Sequence, residues 1–424
     1  TKDKDNHKVI KIDRKNPVLI FSDGTNFDDT IALILLLKSP HIDIKGVWVN
    51  GNDWANGGPA VNIFYNIIDW LGRKDIPVVV SSFYADKDRT QNIPPGGFVP
   101  QGQMFRRTIP INDGGLIFTD TLWGLATFLP SSQRHYVAKD TKTPDTQDEA
   151  VARRVFLSLI RQSKFPISII SLGSLTGVWE ILSAAHQEGL LGKIKGLFQM
   201  GGVYQHPGNI FSIPWSSRSE FNIYLDPDAA NNTIQLLSAN NIPVVFHALN
   251  ATDSVPIRRQ FLERLREDAE TPEAQFVSQL LSEVARTWFA PFNSDGILPG
   301  AFLWDPSAAI AFLCRKVITS SVNATITINT DSQVTFQLDS DPNGSAVVTY
   351  RFSNRLAEFI DDPNGAHVTI LTGLNQAKVE NLIIKLLNKK KNSAICPLRL
   401  PTCCYRSVSV KNFAKLSLDQ LSPN

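Results

Sequence analysis

Residues 17–37 read PVLIFSDGTNFDDTIALILLL. An apolar run of strand length meets a short polar bend, and a longer apolar run of helical length follows until Pro40 stops it. Three carboxylates, Asp23, Asp28 and Asp29, sit where the strand gives way to the helix. Burial at that junction makes charge costly, so either the tip is solvated or a cation offsets the repulsion. A third reading needs no ligand: carboxylates at a helix start cap free amides and meet the positive end of the dipole.

The same rhythm extends outward. IDIKGVWVNGN (42–52) is a strand, GPAVNIFYNIIDWLG (58–72) a helix with Pro59 near its start and Gly72 at its end, and IPVVVSS (76–82) a third strand. After an irregular stretch, 84–120, the pattern resumes. EAVARRVFLSLIRQS (149–163) is helical, PISIISLGS (166–174) a buried strand and TGVWEILSAAHQEG (176–189) a helix. KIKGLFQMGG (193–202) and NIPVVFHALN (241–250) read as further buried strands. Alternating strands and helices imply an open α/β fold, a mostly parallel sheet with helices on both faces. Such sheets bind ligands beyond the carboxyl ends of their strands, where FSDGTNFDD, VNGND, SLGSLT, FQMGG and FHALN all fall.

From about residue 318 the periodicity changes to two. NATITINTD, QVTFQLDSD, AVVTYRFSN and AHVTILTG are split by turns that include DPNG at 341 and again at 362. They predict a small antiparallel β appendage, closed by an amphipathic helix in AKVENLIIKLLNKKKN (377–392). The basic NKKKN end reads as a solvated helix terminus. The expected organisation is an α/β domain over 17–317, the appendage and its closing helix over 318–391, and a cysteine-containing tail over 392–424.

Bulk properties exclude several classes. The chain has 424 residues, 43% of them hydrophobic, enough for a sizeable core. Forty-two Lys and Arg against 40 Asp and Glu give a net charge of +2, which lacks the concentrated basic face of a nucleic-acid binder. No run approaches 18 uninterrupted apolar residues, so no membrane span is expected. The polar lead-in from Thr1 reads as a mature end left after processing. Sequons at Asn231, Asn250, Asn323 and Asn343 add to an expectation of secretion and glycosylation, with Asn343 in the DPNGS turn the best placed acceptor. Three of the four cysteines crowd into ICPLRLPTCCYR (395–406). Cys396 either bridges to Cys403 or Cys404, vicinal pairing being rare, or all stay thiols.

In combination, NGNDWANGGPAVNIFYNIIDWLG, MGG, GNIFSIPWSSRSEFNIYLDPDAA and FLWDPSAA resemble the inosine-uridine preferring nucleoside hydrolases, over roughly residues 17–315. The nearest look is to plant-type extracellular members with tandem domains, in places to their second, eroded domain. The resemblance implies a calcium-dependent enzyme that hydrolyses the N-glycosidic bond of purine or pyrimidine ribonucleosides. The family signature D-x-D-x-G-x-D-D ends on Asp28 and Asp29, and it implies Asp28 as general base and Asp29 as a calcium ligand. Reading back, its first aspartate falls on Ser22, its second on Gly24 and its glycine on Asn26, with Asp23 one residue out of register as a fourth candidate ligand. The resemblance further implies calcium contacts from the Thr176 carbonyl and Asp305, and sugar contacts from Asn52, Met200, Asn209, Glu220 and Asn222. Many relatives carry a proton-donating His beside the aspartate matched by Asp305. Here the neighbour is Trp304, which can stack on a base but cannot protonate it. His206 and His247, in strand-end loops, are candidate acids.

Each of these residues also has a plainer reading. Asp305 before Pro306 is a common helix start, Glu220 and Asn222 flanking Phe221 resemble an exposed strand edge, and methionine is usually core. The displaced signature supports a rival function: a non-catalytic relative acting as a binding or structural part of a larger assembly. The other expected partners are a small-molecule nucleoside and further copies of the chain in a homo-oligomer.

Overall fold

The computed structural model describes residues 16–22, 24, 27–50, 57–80, 149–209, 218–287, 289–330, 334–340, 346–352 and 357–390. Asp23, Asn52, Asn343, the stretch 84–120 and the cysteines of the tail lie outside them.

The opening stretch folds as its pattern predicts, into strand β1 (Asn16–Ser22) and helix α1 (Phe27–Lys38). The chain continues through β2 (Ile42–Val49), α2 (Gly57–Trp70), β3 (Val78–Val80), α3 (Glu149–Gln162), β4 (Ile167–Ser171), α4 (Thr176–Gln187) and β5 (Ile194–Met200). Next come α5 (Phe221–Leu225), α6 (Pro227–Ala239), β6 (Val244–His247), α7 (Leu249–Thr252), β7 (Pro256–Arg258), α8 (Arg259–Glu267) and α9 (Pro272–Thr287). The last segments are β8 (Ile297–Phe302), α10 (Trp304–Leu313), β9 (Ile318–Ile328), β10 (Val334–Ser340), β11 (Ala346–Phe352), β12 (Phe359–Asp361), β13 (Ala366–Leu374) and α11 (Gln376–Leu387).

Nine strands form one sheet in the order β12-β9-β13-β6-β5-β4-β1-β2-β3. From β13 to β3 every pairing is parallel; β9 runs antiparallel to β13, and β12 antiparallel to β9. Two apolar clusters cover the sheet, one joining α1, α2, α9, α10 and α11, the other α3, α4 and α6. The antiparallel strands expected after residue 318 are present but divide between two structures. β10 and β11 form a separate two-stranded antiparallel sheet, whereas β9, β12 and β13 extend the main one. The period-two pattern arises because this end is incompletely covered: β9 is exposed along Thr319–Asn323, while Ile326 and Ile328 are buried.

The strand order reverses direction at β1, with β2 on one side and β4 on the other, and ligands in open α/β sheets bind at such a switch point. Two helices bring carboxylates to it. Helix α1 is buried from Phe27 to Leu36, and α10 from Asp305 to Phe312. They pack along one another, and both carry their aspartates in the first turn. Their all-round apolar surfaces leave nowhere for these helices to sit but the interior, so the aspartates are buried with them.

Helix α11 is locked to the rest by a buried ion pair. The Glu380 side chain is fully buried and accepts from Arg258 Nε at 3.0 Å and Nη2 at 2.7 Å, and from Gln376 Nε2 at 3.0 Å. Arg258→Ala would strand that carboxylate, with Arg264 at 3.9 Å its remaining cationic neighbour. A loss of about 3 kcal/mol in urea unfolding is expected, the low end for a broken buried pair because Arg264 stays.

Candidate active site at the strand ends

Oxygen atoms of Asp28, Asp29 and Asp305 all lie within 4.8 Å of one another, and each residue is buried. Burial, then the charge of Asp29, pushes the Asp28 carboxyl well above its usual range. Asp305 is pushed the same way by burial and then by the charges of Asp29 and Asp28. The main charges acting on both are other carboxylates, with no basic side chain among them. Asp29 accepts a short hydrogen bond from the Ser22 hydroxyl, which itself accepts from the Gly24 amide at 3.2 Å. Asp28 Oδ1 is buried with no hydrogen-bond partner among the described residues. An orphaned acceptor costs roughly 1–3 kcal/mol, which a fold rarely tolerates without a ligand in view.

The hard oxygen donors of this trio, buried and mutually repelling, fit a divalent cation such as calcium or magnesium. Asp29 and Asp305 would hold it. Thr176, which opens α4 after β4, gives its hydroxyl to Asp226 Oδ2 at 2.7 Å, so any share it takes in the site falls to its main chain.

Around the trio, loops from several strand ends are tied together. Asn222 Nδ2 donates to the carbonyls of Leu172 and Met200, each at 3.2 Å, while its Oδ1 is buried and open. Asn50 Nδ2 donates to the Ser174 carbonyl at 2.9 Å. Met200 is buried at the end of β5 and contributes through its carbonyl. Asn209 Oδ1 accepts from the Phe221 amide at 2.9 Å and so sets the entry to α5.

Glu220 is neither exposed nor on a strand, which corrects the edge reading. It is the buried N-cap of α5 and accepts from the amides of Asn222 (3.0 Å), Ile223 (3.1 Å) and Gly202 (2.8 Å). Even so, burial raises its carboxyl to about 7. This pin explains the MGG stretch. Gly202 adopts φ +78°, and a Cβ there would stand 2.2 Å from the Phe359 ring; at Gly201 it would stand 2.9 Å from Glu220 Oε2. Only glycine fits either approach.

The two candidate acids separate. His247 is buried at the end of β6, its ring stacked 6.4 Å from Phe198, and burial lowers it to about 3. A ring held neutral near pH 7 has no proton to give, so His247 is not the acid. His206 is partly exposed in the loop after β5, its Nδ1 2.9 Å from the Pro207 carbonyl. Trp304 opens α10 and donates its indole N–H to Asp253 Oδ1 at 3.1 Å. Residue-by-residue reading met Ser22 only as the position of the signature's first aspartate and passed over Asp253. Only the position of Asp253 in the loop after FHALN hinted at it.

Three sequons fall on described residues. Asn323 is exposed on β9. Asn231 accepts from the Ile328 amide through Oδ1 at 3.0 Å. Asn250 holds both polar groups of Tyr204, donating to its carbonyl at 2.8 Å and accepting from its amide at 3.0 Å; a glycan there would have to displace that pair. Cys314 is buried.

A buried carboxylate trio at the switch point of a mostly parallel sheet defines a strand-end hydrolytic or ligand-binding α/β class. The inosine-uridine preferring nucleoside hydrolase profile matches residues 18–381, and the chain belongs to that family. It is 32% identical over 285 residues to nucleoside hydrolase 3 of Arabidopsis thaliana, covering 63% of this chain and 31% of that protein. It is 30% identical over 281 residues to nucleoside hydrolase 4 of the same plant, covering 63% and 49%. The chain thus matches only a third to a half of the length of these relatives. The inosine-uridine preferring nucleoside hydrolase from Bacillus anthracis shares the fold, with a TM-score of 0.61 at 19% identity, covering 88% of this chain and 99% of that one.

Proposed function

We propose that the chain hydrolyses the N-glycosidic bond of ribonucleosides with the help of a bound calcium ion, releasing ribose and the base. The observation that carries this reading is the buried trio of Asp28, Asp29 and Asp305 with its orphaned Oδ1. When bound, a divalent cation would hold a water and lower its pKa. The ionised Asp28 carboxylate takes a proton from water attacking the sugar carbon. Asn222, fixed by two carbonyls with Oδ1 open, accepts from a ribose hydroxyl, which favours the flattened oxocarbenium-like state. Glu220 holds the Gly201–Gly202 loop against α5 and thereby keeps Asn222 in place. The exposed sequon at Asn323 supports placement of the protein outside the cell.

The test is release of reducing sugar from purine and pyrimidine ribonucleosides by the purified chain with calcium. Turnover that disappears with chelator and returns with calcium is the expected result. A protein that binds calcium without turnover would instead support the non-catalytic reading favoured by Ser22 standing where the signature has its first aspartate.

A further inference from the structure

The nucleobase must leave with a proton, yet the residue beside Asp305 is a tryptophan and His247 is held neutral. Asp253 lies at the C-terminal end of α7, beyond strand β6 and therefore on the crevice side of the sheet. It is part-buried, and its Oδ1 receives the Trp304 indole N–H at 3.1 Å. Trp304 immediately precedes Asp305, and Glu220, whose charge acts on Asp305, is itself acted on by Asp253. No hydrogen bond engages Oδ2 among the described residues. Two other titratable groups act on it: His206 from the loop after β5 and Glu220 from the start of α5.

We propose that Asp253 is the proton donor to the departing nucleobase and that Trp304 is its anchor. The inference rests on the hydrolase reading above. As the bond between C1 of ribose and the base nitrogen breaks, its electron pair goes to the base, and the proton on Asp253 Oδ2 passes to a base nitrogen. Water supplies the oxygen that bonds to C1 and loses its proton to Asp28. The carboxylate left on Asp253 is stabilised by the indole N–H through Oδ1 and by the electrostatic influence of His206, and its part-exposed side regains a proton from solvent. Burial raises Asp253 to about 6, so a protonated share persists near neutral pH. Glu220 faces it without competing, because three amides occupy its oxygens.

The experiment compares two substrates in the full chain with calcium: a ribonucleoside, and 4-nitrophenyl riboside, whose leaving group departs without a proton. Asp253→Asn is expected to lower kcat on the nucleoside by ~10²–10³-fold while changing the nitrophenyl riboside less than about fivefold. It should also remove the alkaline limb of kcat/KM against pH. Trp304→Phe, which deletes the donor to Oδ1, should keep the limb and move it to higher pH. Equal losses on both substrates, or no loss on either, would overturn the proposal. If wild-type protein cleaves the nitrophenyl riboside but D253N matches it on nucleosides, only the acid assignment fails. Wild-type protein inert on both overturns the hydrolase reading and this proposal together.

Discussion

Replacing Asp28 by Asn is expected to cut ribonucleoside turnover about a thousandfold, the usual worth of a positioned base, while making the cation-free protein more stable. Both effects follow from one fact. Asp28 is buried beside Asp29, so its charge is raised in energy by desolvation and by a like neighbour. The amide nearly matches the carboxylate in shape, keeps an acceptor at Oδ1 and removes one member of the repelling trio. Steady-state kinetics and a thermal melt in chelator test the pair of outcomes. A variant that turns over at the wild-type rate would remove Asp28 from the mechanism.

The second large effect concerns the cation. Asp28 and Asp305 both titrate above their ordinary 3.8, Asp253 at about 6 and Glu220 at about 7. A carboxyl whose folded value is raised favours the fold while protonated, and that contribution is lost as pH rises from the unfolded value through the folded one. For Asp253 and Glu220 the window runs from roughly 4 to 7, so the cation-free protein should weaken across it. A divalent cation binds the ionised trio, so its stabilisation should grow as pH rises and Asp28 and Asp305 ionise. At a hundred-fold excess over Kd the gain is about 2.7 kcal/mol, worth several degrees in Tm. Calorimetry with calcium or chelator at pH 5 and pH 7.5 should show the larger difference at the higher pH. The Asp29→Ala, Asp305→Ala double variant should show none. Identical wild-type melts in calcium and chelator at pH 7.5 would contradict a cation site.

Much of this architecture was legible because burial on both faces writes continuous apolar runs. β1, β4 and β5 and the fully buried α1 could be read that way, and the Asp28–Asp29 pair stood out against them. Asp305 became legible only through the family resemblance, since WDPS alone is also an ordinary helix start. The plainer reading of Glu220 as a strand edge fails because alternation around Phe221 fits an edge, whereas the helix there spans five residues and Glu220 is its N-cap. Asp253 carried no local signal: its partners, Trp304, His206 and Glu220, come from three other segments. The alternating strands after 318 spoke truthfully of half-coverage, but half-coverage does not tell a separate module from the thin end of a shared sheet.

That shared sheet bears on biosynthesis. β13 lies between β6 and β9, so until the ribosome has delivered residues near 370 the strand ending in Phe246 and His247 keeps a naked, apolar flank. Parallel pairing across so long a span is slow to find, and an unzipped flank recruits neighbours. Nascent chains halted before β13 should therefore lean on chaperones, and expression trials cut near residue 317 should yield inclusion bodies rather than a smaller working enzyme.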